Sequence, residues 1–371
     1  MDTLVLDCGS TGCRLHIFKQ NDKQQYYALE IGEKLPALPK IISDNSIKNT
    51  FIVELNKLIE SCKDKTHEYY VGVEPKLFVG ITAGVRNLDV TTKNTMMQSV
   101  NDLFKAINVK LVDEQTAGIT IMTDDTESDL EKTAVGYILE NCQKEIEIPA
   151  DVKNGTGTVG HIGMGGGSIQ ISINSSTKPC DKSKSKIKIP ISFTNDKYEE
   201  LLKAHFKDNK YEPKLVGTFY AIEAIWYVTN YILGEAQLGI AISVKDLLTE
   251  LESNSLTTFD LPRTWKPAKI EVYTEYIIRA KQIFIELLKN IFDENSKIIT
   301  MPENLCQPDD KCSWALGYFI RNTCCRSATG SCGSDKIDGG RKKTRSKRQR
   351  GGKRKSKKSK KTKRKTRKSG R

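Results

Sequence analysis

The sequence predicts an α/β fold of two related halves with a cleft between them, followed by a disordered basic tail. Two observations point to the halves. A strand, a glycine-rich turn and a second strand occur near residue 10 and again near residue 166, and stretches of helical periodicity follow each. A third observation gives the tail. From Arg341 to Arg371 there are 20 Lys or Arg in 31 residues, with no acidic, aromatic or apolar side chain. Such a segment cannot bury surface.

The elements follow in chain order. Residues 3–7 are a short apolar run ending in Asp7, and residues 14–19 alternate polar and apolar, so the pair reads as a hairpin. Ile47, Phe51, Leu55 and Leu58 give residues 46–62 a helical face. A strand is expected at 76–81, a helix at 91–107, a strand with an apolar continuation at 109–123 and a helix at 129–142. The second hairpin covers 157–174. Helices are expected at 214–233 and 274–293, and a last one from about Ser313.

The net charge divides with the chain. The 371 residues carry +13 in total, but the first 340 hold 39 basic and 46 acidic side chains, about −7. This excludes a basic nucleic-acid-binding fold for the body. No run of 18 apolar residues occurs, so no transmembrane helix is expected. The first seven residues lack the charged and apolar regions of a signal peptide, which points to the cytoplasm or the nucleus. The ten cysteines form no CxxC pair and the four histidines are scattered, against a zinc site. Most cysteines read as reduced thiols, with a Cys306–Cys312 disulfide as the alternative in an oxidising space.

Three turns carry candidate chemistry. The first runs from Asp7 to Arg14 (DCGSTGCR). Its glycines let backbone approach an anion, its N–H groups can form an anion-binding nest, and Ser10, Thr11, Gly12 and Arg14 suit phosphate oxygens. Asp7, at a strand end, can hold a hydrated divalent cation beside them. The second runs from Gly80 to Arg86 (GITAGVR) and offers Thr82, Gly84 and Arg86. The third is Gly163 to Gln170 (GMGGGSIQ): Gly165, Gly166 and Gly167 are costly in a hairpin unless a ligand presses on the backbone, and Ser168 and Gln170 alternate onto one side. Each turn taken alone is also an ordinary hairpin or strand-end turn.

Together and in this order they resemble the apyrases, the nucleoside triphosphate diphosphohydrolases of the actin, hexokinase and Hsp70 superfamily. Ile121–Glu140 is similar to that family's third conserved region, and Glu127 keeps an acidic position in it. Phe219–Tyr227 (FYAIEAIWY) resembles its F-Y-A-F-S-x-F-Y-Y segment, and Cys312–Gly317 (CSWALG) its W-T-L-G segment. The resemblance spans residues 3–325. It implies two actin-like (RNase H-like) lobes: residues 1–123 with 311–328 returning to them, and residues 124–310, with 330–371 as the tail.

The resemblance also implies roles. Glu127 would be the base on the attacking water, and Ser168 and Gln170 would position that water. The two glycine turns and Thr82 would cradle phosphate, and Asp7 would hold Ca²⁺ or Mg²⁺ through water, for phosphoryl transfer from nucleoside di- or triphosphates. Asp113 and Glu114 compete with Glu127 for the base. Tyr220, Trp226 and Tyr227 read as core packing. The chain departs from the family at Gly163, where an aspartate helps bind the metal, at Ser128, and at Lys132, Thr133 and Gly136.

These departures keep open a catalytically impaired nucleotide-binding protein. An exopolyphosphatase-like enzyme is the other alternative. The tail suits sequence-blind nucleic-acid binding, a nuclear address or an anionic surface. Its composition also resembles tails on many giant-virus proteins.

Overall fold

The computed structural model describes residues 3–86, 88–112, 118–141, 146–174, 176–181, 183, 185–191, 195–254, 267–302 and 312–325. The tail and the competitors Asp113 and Glu114 lie outside these residues, as does Cys306.

The chain opens with β1 (Thr3–Gly9), β2 (Gly12–Gln20) and β3 (Tyr26–Leu35). Next come α1 (Leu38–Ser43), α2 (Asn45–Lys63), β4 (Lys76–Ile81), α3 (Ala83–Arg86), α4 (Val90–Lys105), β5 (Lys110–Leu111) and β6 (Ile119–Ile121). Asp44 and Asp89 start α2 and α4 by accepting hydrogen bonds from the first free backbone N–H groups. The first sheet has the order β3-β2-β1-β4-β5, with β6 also paired to β4; β1 and β2 are antiparallel, β1 and β4 parallel.

The second half starts with α5 (Asp124–Asn141), α6 (Ala150–Lys153), β7 (Val159–Met164), β8 (Ile169–Asn174) and β9 (Ser185–Ile189). It continues with α7 (Tyr198–Asp208), β10 (Thr218–Glu223), α8 (Ala224–Val228), β11 (Ala241–Ser243), α9 (Val244–Ser253), α10 (Pro267–Ile291), β12 (Lys297–Thr300) and α11 (Trp314–Thr323). The second sheet has the order β11-β12-β10-β7-β8-β9.

The buried side chains sort these elements into five layers. One face of the first sheet, with Leu4, Leu6, Leu15 and Leu77, packs on Phe51 and Leu55 of α2 and Leu103 of α4. The other face, with Val5 and Phe18, meets α5 and α11 in a middle layer. That layer also receives Val159, Tyr220, Ile222 and Ile299 from the second sheet. The far side of the second sheet packs on Leu247 of α9 and on Phe284 and Leu288 of α10. Helix α11 thus lies against the first sheet although it comes last in sequence: Phe319 stacks on Phe18 at 4.3 Å and Tyr318 on Phe78 at 3.9 Å.

The main correction falls on residues 214–233. Only the second half of the expected helix is helical, as α8 and a π-helical stretch at Thr229–Leu233; its first half holds strand β10. Residues 218–222 are buried on both faces, and a central parallel strand lacks the alternation that marks a half-exposed one. Helix α5 begins at Asp124, five residues before its expected start. Four cysteines expected as thiols are paired, as Cys8–Cys13 and Cys180–Cys325. Cys8 and Cys13 stand directly opposite across the first hairpin, 4.0 Å apart at Cα.

Two family departures on α5 find a common cause. The Lys132 amine donates to the backbone carbonyls of Lys178 and Asp181, at 2.6 Å to Asp181. A side chain at Gly136 would strike the Thr177 carbonyl and Pro179. Helix α5 has therefore adapted to a loop at 177–181, which Cys180 ties to the end of α11.

Trp314 opens α11 and is 1% exposed in the middle layer. Trp314→Ala is expected to lower unfolding free energy by about 3–5 kcal/mol, read from urea denaturation. A loss below about 1 kcal/mol would mean that the middle layer does not depend on it.

Candidate active site

The three glycine-bearing turns meet at one end of the two sheets. The tip of the β1–β2 hairpin rests on the turn after β4, where an added Cβ at Gly84 would lie 2.9 Å from the Ser10 Cα. The β7–β8 turn closes from the opposite side, with Gly166 against Ser10 and Thr11. A cleft of about 970 Å³ runs between them, lined by Asp7, Ser10, Thr11, Arg14, Thr82, Glu127, Ser168 and the Gly165–Gly167 turn. The structure thus brings together the predicted residues of all three turns.

Glu127 enters at the first turn of α5, and its carboxylate is the hub of a buried network. Arg86 donates to Glu127 Oε2 at 2.6 Å and to Ser168 Oγ at 2.8 Å, and pairs with Asp124 at 2.6 Å. The Gln170 amide donates to Glu127 Oε2 at 3.2 Å and to Ser168 Oγ at 2.7 Å. Arg86, read from the sequence as a phosphate ligand, is committed to Glu127, Asp124 and Ser168. The Ser168–Gln170 pair lies against the carboxylate, as their alternation on β8 requires.

Burial governs the ionisation here. It pushes the Glu127 carboxyl up to about 7 against the opposing pull of Arg86. It raises Asp7 to about 6, countered by Arg14 and by a hydrogen bond with Trp314. A carboxylate near 7 is balanced to accept a proton at neutral pH.

Several site residues were not visible in the sequence. Lys34 on β3 reaches over the first turn and donates to Thr11 Oγ1 at 2.6 Å. Glu223 ends β10 in a left-handed conformation (φ 63°) and lines the cleft, and burial raises it to about 8. Glu131, one turn after Glu127 on α5, is 0% exposed and contacts His161 Nε2 at 3.1 Å. Burial drives its carboxyl well above the usual range. Nothing in spacing flags Lys34 and Glu223, which come from strands far apart in sequence, whereas Glu131 stands four residues after Glu127 on one helix, a spacing that could have found it. Tyr220 is core, as read, but Trp226 and Tyr227 are corrected: both line the cleft, together with Tyr273 and Tyr276.

Among the described residues, no three acidic, histidine or cysteine side chains stand close enough to ligate one bare metal ion. The carboxylate set nonetheless fits a hydrated cation. Oε1 of Glu131 and Oε2 of Glu223 are buried without a hydrogen-bond partner, and both groups lie in a field shared with Asp7 and Glu127. Also among the described residues, no helix is long and apolar enough to cross a membrane.

The model of the GDA1/CD39 nucleoside phosphatase family matches residues 3–212. A nucleoside-triphosphatase of Pisum sativum is 30% identical over 181 residues, 47% of this chain and 36% of that protein. An apyrase of Solanum tuberosum is 27% identical over 175 residues, 45% of this chain and 35% of that protein. The chain spans about a third of the length of these two relatives. A solved Ppx/GppA family member from Aquifex aeolicus superposes with a TM-score of 0.56 at 16% identity, over 86% of this chain and 97% of that one. An exopolyphosphatase from Cytophaga hutchinsonii gives 0.51 at 12% identity, over 86% and 97%. At these identities the likeness is one of fold, and it is the two-lobed actin-like one.

Two outcomes follow from the network. Arg86→Ala leaves buried carboxylates unpaired and is expected to cost about 3–5 kcal/mol in urea denaturation; a neutral result would show the pairs to be unimportant. Asp7, Glu127 and Glu223 hold protons in the folded state at pH values where the unfolded chain has released them. Folding therefore loses stability as pH rises from about 4 to about 8. In chelator, Tm should fall across that window, and a Tm that climbs steadily through it would contradict the raised values.

Proposed function

This chain belongs to the GDA1/CD39 nucleoside phosphatase family, and from that premise we propose that it hydrolyses nucleoside tri- and/or diphosphates at the three-turn cleft. One observation carries the reading: a carboxylate near pKa 7, hydrogen-bonded to Gln170 and beside Ser168, stands where the phosphate turns converge.

In this reading Ser168 and Gln170 position a water against the terminal phosphorus, and Glu127 takes its proton as the new P–O bond forms. The bond to the bridging oxygen breaks, releasing phosphate and the shortened nucleotide. Turn amides at Gly12, Gly84, Gly165, Gly166 and Gly167, the hydroxyls of Ser10, Thr11 and Thr82, and Arg14 would hold the phosphate oxygens. Arg86 serves by fixing Glu127 and Ser168. Lys34 adds a cation beside Thr11.

Asp7 would hold Ca²⁺ or Mg²⁺ through water. A bound divalent cation supplies charge neutralisation on the phosphates. The lobes divide as residues 1–123 with 311–328, and residues 124–310.

A nucleoside is preferred over an inorganic chain because Trp226, Tyr227, Tyr273 and Tyr276 line the same cleft, and flat apolar faces suit a base. Two disulfides fit an oxidising space better than reducing cytosol. The tail would add salt-dependent contact with nucleic acid or an anionic surface.

The test is phosphate release from ATP, ADP, GDP, UDP and polyphosphate with Ca²⁺ or Mg²⁺. Glu127→Gln is expected to lower the nucleotide rate by ~10²–10⁴-fold. Equal rates in the two proteins would remove Glu127 as the base, and release from polyphosphate alone would favour the exopolyphosphatase reading.

A further inference from the structure

The end of β7 lacks a carboxylate of its own, yet two carboxylates from other elements close on it. Glu131 comes from α5: an added Cβ at Gly163 would lie 2.4 Å from its Oε2. The side chain of Glu131 therefore fills the room that a residue at position 163 would use. Glu223 comes from β10, which runs parallel to β7 and places Glu223 opposite Met164. An added Cβ at Gly165 would lie 3.2 Å from Glu223 Oε2, so this carboxylate rests on the glycine turn that faces the phosphate-holding hairpin.

Three features make these groups more than packing. Glu131 is wholly buried, and its Oε1 has no partner. Glu223 Oε2 is buried and also without a partner, although the cleft it lines is open to ligand. Glu223 also adopts φ 63° and ψ −123°, a conformation that non-glycine residues avoid unless the surrounding structure imposes it. A carboxylate lying on a phosphate turn repels phosphate unless a proton or a cation neutralises it, and a hydrated cation can take the place of the proton that burial otherwise retains. The Arg14 charge acts on Glu223, but its side chain pairs with Glu30 at 3.4 Å, and Arg86 is already taken up by Glu127, Asp124 and Ser168.

We propose that Glu223, backed by Glu131, is the cation-holding carboxylate of this chain, supplied by neighbouring elements in place of a side chain at position 163. The pair would share a hydrated divalent cation with Asp7. This rests on the nucleotide-hydrolase reading for its purpose, but it concerns binding of the metal alone. It also has a steric corollary. Gly163→Asp adds a carboxylate where Glu131 already stands, so it displaces Glu131 rather than adding a ligand.

Binding of Mn²⁺ to the full-length, metal-stripped protein without nucleotide is the measurement, followed by the loss of the free hydrated Mn²⁺ signal in electron paramagnetic resonance. Glu223→Gln keeps size and hydrogen bonding and is expected to weaken binding about tenfold or more, or about 1.4 kcal/mol. Glu131→Gln should weaken it in the same direction. Gly163→Asp should not tighten binding, whereas Glu131→Ala combined with Gly163→Asp should bind more tightly than Glu131→Ala alone. Circular dichroism and Tm of each variant separate loss of the ion from loss of the fold.

Wild-type affinity in a folded Glu223→Gln protein would overturn the proposal. So would tighter binding in the single Gly163→Asp variant, or no Mn²⁺ binding by the wild type. Binding that depends on Glu223 in a protein that hydrolyses no nucleotide would uphold the cation site and remove the hydrolase reading instead.

Discussion

Arg86 is the interaction on which the site depends. Its guanidinium leaves α3 on the first sheet, crosses to Glu127 and Asp124 on α5, and ends at Ser168 on the second hairpin. One side chain thus ties together the turn after β4, the start of α5 and the β7–β8 hairpin. It is also a positive charge that acts on two buried carboxylates, Glu127 and Glu131. Burial alone would protonate Glu127; the arginine holds it near 7, where either form is accessible.

The body's negative charge makes sense beside this arrangement. A cleft proposed to take phosphate would be expected to be basic, yet Asp7, Glu30, Glu127 and Glu223 line it. Its cations, Arg14, Lys34 and Lys40, sit on β2, β3 and α1. Charges of both signs therefore stand around the first turn, where Asp7 lies across from Arg14 and Arg14 pairs with Glu30 at 3.4 Å, while Glu223 rests on the β7–β8 turn. Such a layout can take up a phosphate and a counter-cation together more readily than either alone.

Much of this was legible in the sequence where local rules decide. Glycine-rich turns between alternating runs marked both hairpins, because few other sequences reverse a strand so tightly. The spacing of Phe51 and Leu55 marked α2. Residues 218–222 misled, because a strand buried on both faces shows only a continuous apolar run. Trp226 and Tyr227 misled for the opposite reason: an aromatic residue looks alike in sequence whether it fills a core or lines a cleft. Glu223 carried no signal, since it matters through a glycine on another turn, and Glu131 carried only its helical spacing from Glu127. Gly163 looked like a missing ligand, and became intelligible only when Glu131 was seen to occupy its space.

The middle layer has a consequence of its own. Helices α5 and α11 are packed from both sides, and their core includes Tyr220, Ile299 and Trp314 together with Val5 and Phe18. The two halves therefore share this layer in addition to a core of their own on the far side of each sheet. A fragment ending near residue 212, where the family match stops, would keep all three glycine turns and Glu127 yet lose the strands and helix that complete this shared interior. The signature of the family and the smallest folding unit are different lengths of chain, and the chemistry of the shorter is inherited from the cooperativity of the longer.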